Sequence, residues 1–365
     1  MNPLQQIGTY GQSVWLDFIS RKTIHDGTLQ RLIDTGVVGM TSNPAIFEKA
    51  MSGNEYDAEI ATLARAGNDA NSIYQTLAIE DVQAAADLLR PIYDRTKGDD
   101  GYISLEVSPL LARDTGGTIK EAKELWARVA RPNVMIKIPA TVEGLPAIEE
   151  ALACGLNINV TLLFSVERYE AVAEAYIRGI ERLNASGADV SKTRSVASFF
   201  LSRIDTMVDP LLASKDQGLA GKAAIACAKY AYEAYGEIFG SSRFQHLSAL
   251  GAKPQRLLWA STSTKNPAYP DTMYVEPLIG PNTVNTMPIE TIEAYVDHGK
   301  PASRITEGMA EVHSNLKALE AAGIDLGVVA VKLEEEALIK FVDPFNKLVA
   351  GIQGKLSGVG VGGKA

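Results

Sequence analysis

Short apolar runs separated by stretches of helical periodicity constrain this 365-residue chain more than any other feature. Eight such runs can be read: SVWLDFI (13–19), GVVGMTS (36–42), YISLEVS (102–108), NVMIKIP (133–139), NINVTLLF (157–164), RSVASFF (194–200), RLLWAST (256–262) and MYVEPLI (273–279). Between them, 118–131 carries apolar residues at Ile119, Ala122, Leu125, Trp126 and Val129, close to the i, i+3, i+4, i+7 stripe of a helix. Residues 165–187 read as a helix capped by Ser165 and ended by Gly187, and 218–240 as another long one. Strands alternating with helices imply a parallel sheet. Eight units predict a closed (β/α)8 TIM barrel; an open doubly wound sheet is the alternative. No G-x-G-x-x-G follows the first strand and no G-x-x-x-x-G-K-[ST] occurs, which counts against a nucleotide-binding open sheet. A helical insertion is expected at 71–96, and a C-terminal helical segment at 329–356, broken near Pro344. The expected organisation is one barrel domain over 1–356 and a glycine-rich flexible tail over 357–365.

Composition narrows the function. A net charge of −9 argues against binding nucleic acid or an anionic membrane, though not against a local pocket for a small anion. No apolar run reaches transmembrane length, and the N-terminus lacks a basic-then-apolar signal. Cys154 and Cys227 form no disulfide or metal pattern, which fits a reducing cytoplasm. His25, His246, His298 and His313 are scattered without ligand spacing, so neither a metal nor another cofactor is expected.

In a barrel, reactive groups come from the C-terminal ends of several strands. Reading the runs this way collects Asp17, Thr41, Ser42, Asn43, Glu106, Lys137, Asn159, Thr161 and Ser198, with Arg203 just after the sixth run and Ser261 to Lys265 ending the seventh. Lys137 stands out. It sits mid-strand on the face opposite Val134, Ile136 and Ile138, in a run apolar enough to be covered on both sides. A buried lysine needs a partner or a purpose. An amine can attack a ketone and form an iminium that weakens the adjacent carbon–carbon bond, without a metal. Desolvation favours the neutral amine that such attack requires. Two carboxylates on other strands can move the protons. Asparagine and serine can orient sugar hydroxyls, and cations after the sixth and seventh strands suit a phosphate. Blander readings exist. Lys137 can snorkel or pair with a carboxylate, Asn43 can simply cap a helix starting at Pro44, and Arg203 can pair with Asp205 on the surface.

Three segments sharpen the choice. GMTSNPAIF (39–47) resembles the transaldolase signature around its second strand, with Met40 in place of a small aliphatic residue. VMIKIPATVEGLPAIE (134–149) resembles the family's Schiff-base lysine signature, and INVTLLFS (158–165) its fifth-strand segment. The resemblance spans about residues 10 to 350 and implies a (β/α)8 barrel. It also implies transfer of a dihydroxyacetone unit between ketose and aldose phosphates. Sedoheptulose 7-phosphate and glyceraldehyde 3-phosphate would give erythrose 4-phosphate and fructose 6-phosphate, a step of the non-oxidative pentose phosphate pathway. It further implies Lys137 as the Schiff base, Asp17 as acid/base, and Glu106 with Thr161 holding a catalytic water. Asn43, Asn159 and Ser198 would hold dihydroxyacetone, and Arg203 the phosphate. Many members carry a second phosphate-binding arginine where this chain has Ser263; Lys265 is the expected substitute. The chain is similar to the longer subfamily, which is sometimes found fused to glucose-6-phosphate isomerase, with 51–101 and 205–255 as insertions and no isomerase domain expected. Sugar phosphates are the expected partners, and a homodimer is allowed.

Three rivals remain at this level. A fructose-6-phosphate aldolase of the same superfamily would release free dihydroxyacetone; Glu106 and Phe200 favour the transferase by family resemblance. An inert sugar-phosphate-binding barrel has no use for a buried amine. A metal-dependent aldolase lacks its histidines.

Overall fold

Every residue of the run around Lys137 is buried, so this strand is covered on both faces, as its composition predicts. The computed structural model describes residues 1–359, with side chains through Leu356. Eight parallel strands close on themselves in chain order. They are β1 (Gln12–Asp17), β2 (Gly39–Thr41), β3 (Ile103–Glu106), β4 (Val134–Pro139), β5 (Ile158–Leu163), β6 (Ser195–Phe200), β7 (Arg256–Ala260) and β8 (Thr283–Met287). The architecture is the expected (β/α)8 barrel with additional helices.

Local chemistry explains where the helices begin. Asp114 accepts from the Gly117 amide at 2.9 Å and starts the helix Thr115–Val129 three residues before the expected position. Ser165 accepts from the Arg168 amide at 3.2 Å and starts Val166–Ala185, as expected. Asp69 does the same for Ala70–Arg95 through the Ser72 amide at 2.7 Å. A short helix that the apolar pattern did not reveal, Pro3–Thr9, is held by an Asn2–Gln5 capping box.

Register sets the site. Glu106 on β3 pairs with Lys137 on β4, and Lys137 pairs with Asn159 on β5. Asp17 on β1 pairs with Thr41 on β2. Side chains at paired positions of a parallel sheet share a face, so Glu106, Lys137 and Asn159 share one face of the wall, as do Asp17 and Thr41, while Thr161 stands two residues further along β5, opposite Pro139.

Two expectations fail. The eighth strand is Thr283–Met287, and the run at 273–279 forms turns and a 3-10 helix at Glu276–Leu278. Tyr274, Val275, Leu278 and Ile279 are buried, so the apolarity of that run reports burial against the core and not strand geometry. Pro277 favours the helical turn. The true strand, TVNTM, hides its polarity inside. Gln12 Nε2 donates to Thr283 Oγ1 at 3.0 Å, and Asn285 Nδ2 donates to the Tyr274 carbonyl at 3.3 Å. The second failure is at Pro344. A single helix, Leu326–Val359, runs through it. Phe341, Phe345, Leu348 and Ile352 are buried on either side of the proline, and this packing outweighs one lost backbone bond. The helix covers 357–359 of the expected tail; the remainder of that tail lies outside the described residues.

The barrel wall is tight at Gly39. A Cβ there would lie 2.6 Å from the ring of Trp15, which is fully buried. Gly39→Ala should therefore cost about 1–3 kcal/mol through overpacking. A lowered midpoint of urea unfolding checks this; an unchanged midpoint would show that the Trp15 ring has room to move.

Candidate active site

Met135 lines a cavity at the N-terminal end of the barrel and Lys137 lines one at the C-terminal end, so this face of β4 looks into the interior. The C-terminal cavity is about 280 Å³. It brings together Asp17, Asn43, Lys137, Thr161, Ser198, Arg203 and Lys265, which come from strand ends or loops far apart in sequence. Glu106 and Asn159 lie behind this wall: each is buried and touches a residue that lines the cavity.

Lys137 is 4 % exposed, so its partners decide its state. Its Nζ donates to the Ser42 carbonyl at 3.1 Å and lies 3.3 Å from Glu106 Oε2. The ring of Phe341 closes a third side, its centroid 5.5 Å from Nζ. Burial pushes the Glu106 carboxyl up to about 7, against the pull of Lys137. Neither Glu106 oxygen makes a well-formed hydrogen bond, and Thr161 Oγ1 is likewise buried without a protein partner. Buried polar atoms of this kind are rare and suit a water or a substrate group.

Asp17 ends β1 at the cavity floor. Thr41 Oγ1 donates to its Oδ1 at 2.8 Å, and the Thr286 hydroxyl lies 2.7 Å from Thr41. Desolvation raises the Asp17 carboxyl, while Lys137, the Thr41 bond, Lys265 and Arg203 hold it down. Asn43 caps the helix Pro44–Met51 by accepting from the Ile46 amide at 3.0 Å, which leaves its amide donors for the cavity. The capping and the binding reading are thus compatible. Asn159 is fully committed at its oxygen: Ser198 Oγ donates to Oδ1 at 2.7 Å, and Asn159 Nδ2 donates to Ser104 Oγ at 2.9 Å.

Arg203 does not pair with Asp205. That carboxylate instead accepts from Tyr274 Oη at 2.8 Å and from the Ala224 amide at 2.9 Å. Arg203 stacks over Phe200 at 5.5 Å, and its Nη1 is buried without a partner. Lys265 is exposed, with Nζ 2.7 Å from Ser263 Oγ, beside the same cavity. Backbone strain frames the site. Leu162 has φ +63°, at a register shift between β5 and β6, and Ser261 has φ +54°. Such residues cost on the order of 1–3 kcal/mol each and persist where the surroundings fix them. The bulge re-aims the chain immediately after Thr161.

A match to the transaldolase/fructose-6-phosphate aldolase family covers residues 14–352. The chain belongs to that family. It is 48% identical to a transaldolase 2 of Nostoc sp., covering 98% of both chains. It is 47% identical to a transaldolase of Thermobifida fusca over 98% of this chain and 99% of the relative, and 48% identical to one of Mycolicibacterium smegmatis over 97% and 98%. Within this transaldolase-family barrel, sequence reasoning missed Thr286 because the eighth strand was misplaced. It missed Phe341 because a phenylalanine in a helical stripe reads as core. Glu290, in the first turn after β8, also lines the cavity and carried no signal. Among the described residues no cluster of three or more His, Cys, Asp or Glu gathers as a metal site, and no helix is long and apolar enough to cross a membrane.

The larger cavity, about 480 Å³, lies at the opposite end of the barrel. Several of its polar groups are paired with each other. Arg256 reaches Asp100 at 3.3 Å and Ser13 at 2.5 Å, and Trp15 Nε1 donates to Asp100 at 3.1 Å. That end of a barrel serves stability.

The raised Glu106 carboxyl has a sign that can be checked. Its folded value, about 7, exceeds the ordinary 4.5, so the folded chain holds a proton there that the unfolded chain loses. The stabilisation is complete below about 4.5 and is lost as pH rises through 7. Glu106→Gln has nothing to titrate, so the stability difference, wild type minus variant, should fall across that window in urea melts at several pH values. A difference that grew with pH would mean that pairing with Lys137 outweighs burial.

Proposed function

We propose that the chain is a transaldolase whose Schiff-base residue is Lys137, passing a dihydroxyacetone unit from a ketose phosphate to an aldose phosphate. The observation that carries this is the Lys137 amine, buried yet open to a polar cavity, with Glu106 behind it and Asp17 on the cavity wall. The neutral amine adds to the ketone, and the carbinolamine loses water to give an iminium. The iminium draws in the electron pair of the C3–C4 bond while Asp17 takes the proton of the C4 hydroxyl, and the aldehyde leaves. Dihydroxyacetone stays bound as an enamine. An incoming aldose phosphate accepts the pair, Asp17 returns the proton, and water releases the new ketose.

Glu106 can give and take a proton near neutrality, which suits the carbinolamine step. The buried, unpartnered Thr161 hydroxyl is the natural second holder of a water for that transfer. Asn43 and Ser198 bind the dihydroxyacetone hydroxyls, and Asn159 orients Ser198. Arg203 and Lys265 take the distal phosphate. The non-oxidative pentose phosphate pathway and the cytoplasm are the setting this reaction fits.

Lys137→Arg tests the central claim. Arginine keeps the charge but cannot be deprotonated or form the imine. Turnover should vanish with the fold intact, and borohydride with fructose 6-phosphate should label the wild type alone. Near-normal activity would refute the Schiff base.

Arg203→Ala tests the phosphate. A lost charge-assisted contact of about 1.5–3 kcal/mol should raise KM for fructose 6-phosphate about 10- to 100-fold. Unphosphorylated fructose should be little affected, and Lys265→Ala should show the same selectivity more weakly. Equal KM changes for both donors would remove the phosphate role.

A further inference from the structure

The helix Leu326–Val359 does not pack on the outside of the barrel like the helices that follow each strand. It lies against the helices Pro44–Met51, Asp57–Arg65 and Ala70–Arg95 that follow β2, the turn at Pro109–Leu111 that follows β3, β5 itself, and the helix Ser202–Leu212 that follows β6. It touches segments that follow β2, β3 and β6 and puts Phe341 into the cavity lining, so the helix crosses over the C-terminal mouth. Leu333, Ala337, Phe341, Phe345, Leu348 and Ile352, spaced four or three apart, form its buried stripe. Phe345 anchors it edge-on to Tyr74 at 5.6 Å, and Tyr74 packs edge-on to Phe47 at 6.0 Å. Lys347 pairs with Glu48 at 2.8 Å, and Lys355 with Asp57 at 2.6 Å. One turn before Phe345, Phe341 is 4 % exposed, lines the cavity, and sets its ring 5.5 Å from Lys137 Nζ.

The other sides of Nζ are polar: the Ser42 carbonyl and Glu106. An apolar ring there does nothing for proton transfer. It occupies space that water would otherwise take. We infer that Phe341 is a specificity-determining residue, fixing how often the bound dihydroxyacetone enamine passes to an aldehyde and how often it is lost to water. The inference rests on the Schiff-base reading. In the loss reaction the enamine carbon takes a proton, water adds to the iminium carbon, and the carbon–nitrogen bond breaks, returning the amine, a proton and free dihydroxyacetone. In transfer the aldehyde carbon takes the electron pair instead. Both routes start from one intermediate and both end in hydrolysis of an iminium, so the branch is set at the enamine carbon, where water beside Nζ would deliver the proton that diverts it from the aldehyde. The iminium that precedes either step is cationic, and the ring face is a compatible neighbour for it.

Phe341→Ala and Phe341→Leu, each checked for fold by circular dichroism and thermal melting, separate this from a packing role. Two rates are measured with fructose 6-phosphate: dihydroxyacetone release without acceptor, and sedoheptulose 7-phosphate formation with erythrose 4-phosphate. Phe341→Ala should raise the ratio of release to transfer about tenfold by admitting water. Phe341→Leu, which keeps most of the apolar bulk, should raise it less, and both should keep the borohydride adduct. An unchanged ratio in a folded variant, even with transfer slowed, overturns the inference, as does loss of the adduct. If Phe341→Ala does not fold, Phe341→Leu decides alone, since a structural role would slow both rates together. A wild type that forms no adduct overturns the Schiff-base reading itself, and this inference with it.

Discussion

The site depends on a lysine and a glutamate held on adjacent strands, 3.3 Å apart and almost without solvent. Such a pair is a weak source of stability, because desolvating both groups offsets much of their attraction. Its presence in the middle of a barrel is a functional cost that the surrounding packing must cover. Burial lifts the Glu106 carboxyl to about 7 against the pull of Lys137, so that carboxyl can exchange a proton near neutrality.

The closed barrel makes the pair reproducible. Glu106, Lys137 and Asn159 are register partners on three consecutive strands, so hydrogen bonds between backbones, and not side-chain packing, fix their relative heights. What register cannot do is turn one residue away from the regular alternation. The bulge at Leu162 does this beside Thr161, at the cost of a left-handed backbone in a buried leucine. The two ends of the barrel divide the work. At the N-terminal end Asp100, Arg256 and Ser13 bond to one another, although the Nε atoms of Arg194 and Arg256 stay without a partner. At the C-terminal end several groups are left open, as with Thr161 and Arg203.

Much of this was legible in the residues. Strand–helix alternation gave the barrel class, and polar residues at strand ends gave the groups that meet in the cavity, because strand ends are where a barrel must place exposed chemistry. The eighth strand was not legible. Thr283, Asn285 and Thr286 are polar by type and buried by circumstance: Thr283 bonds with Gln12 and the Gly280 carbonyl, Asn285 donates to the Tyr274 carbonyl, and Thr286 pairs with Thr41, all partners outside the strand. Pro344 misled for a related reason: a local penalty is visible in sequence, and the tertiary packing that overrides it is not. Phe341 shows the same limit at the site, since nothing in a helical stripe distinguishes the residue facing a cavity from its neighbours facing the core.

The helix over the mouth also orders events in time. Its ties reach back across the chain; the bond from Lys355 to Asp57 spans 298 residues. Synthesis proceeds from the N-terminus, so every strand and every polar group of the cavity emerges before Phe341 does. A growing chain at that stage leaves Phe47 and Tyr74 without the helix that covers them, an apolar surface of the kind chaperones recognise. It also holds the Lys137 amine with one wall missing. The barrel that synthesis completes first is therefore at its stickiest, and its cavity most open, in the interval before its last described helix settles.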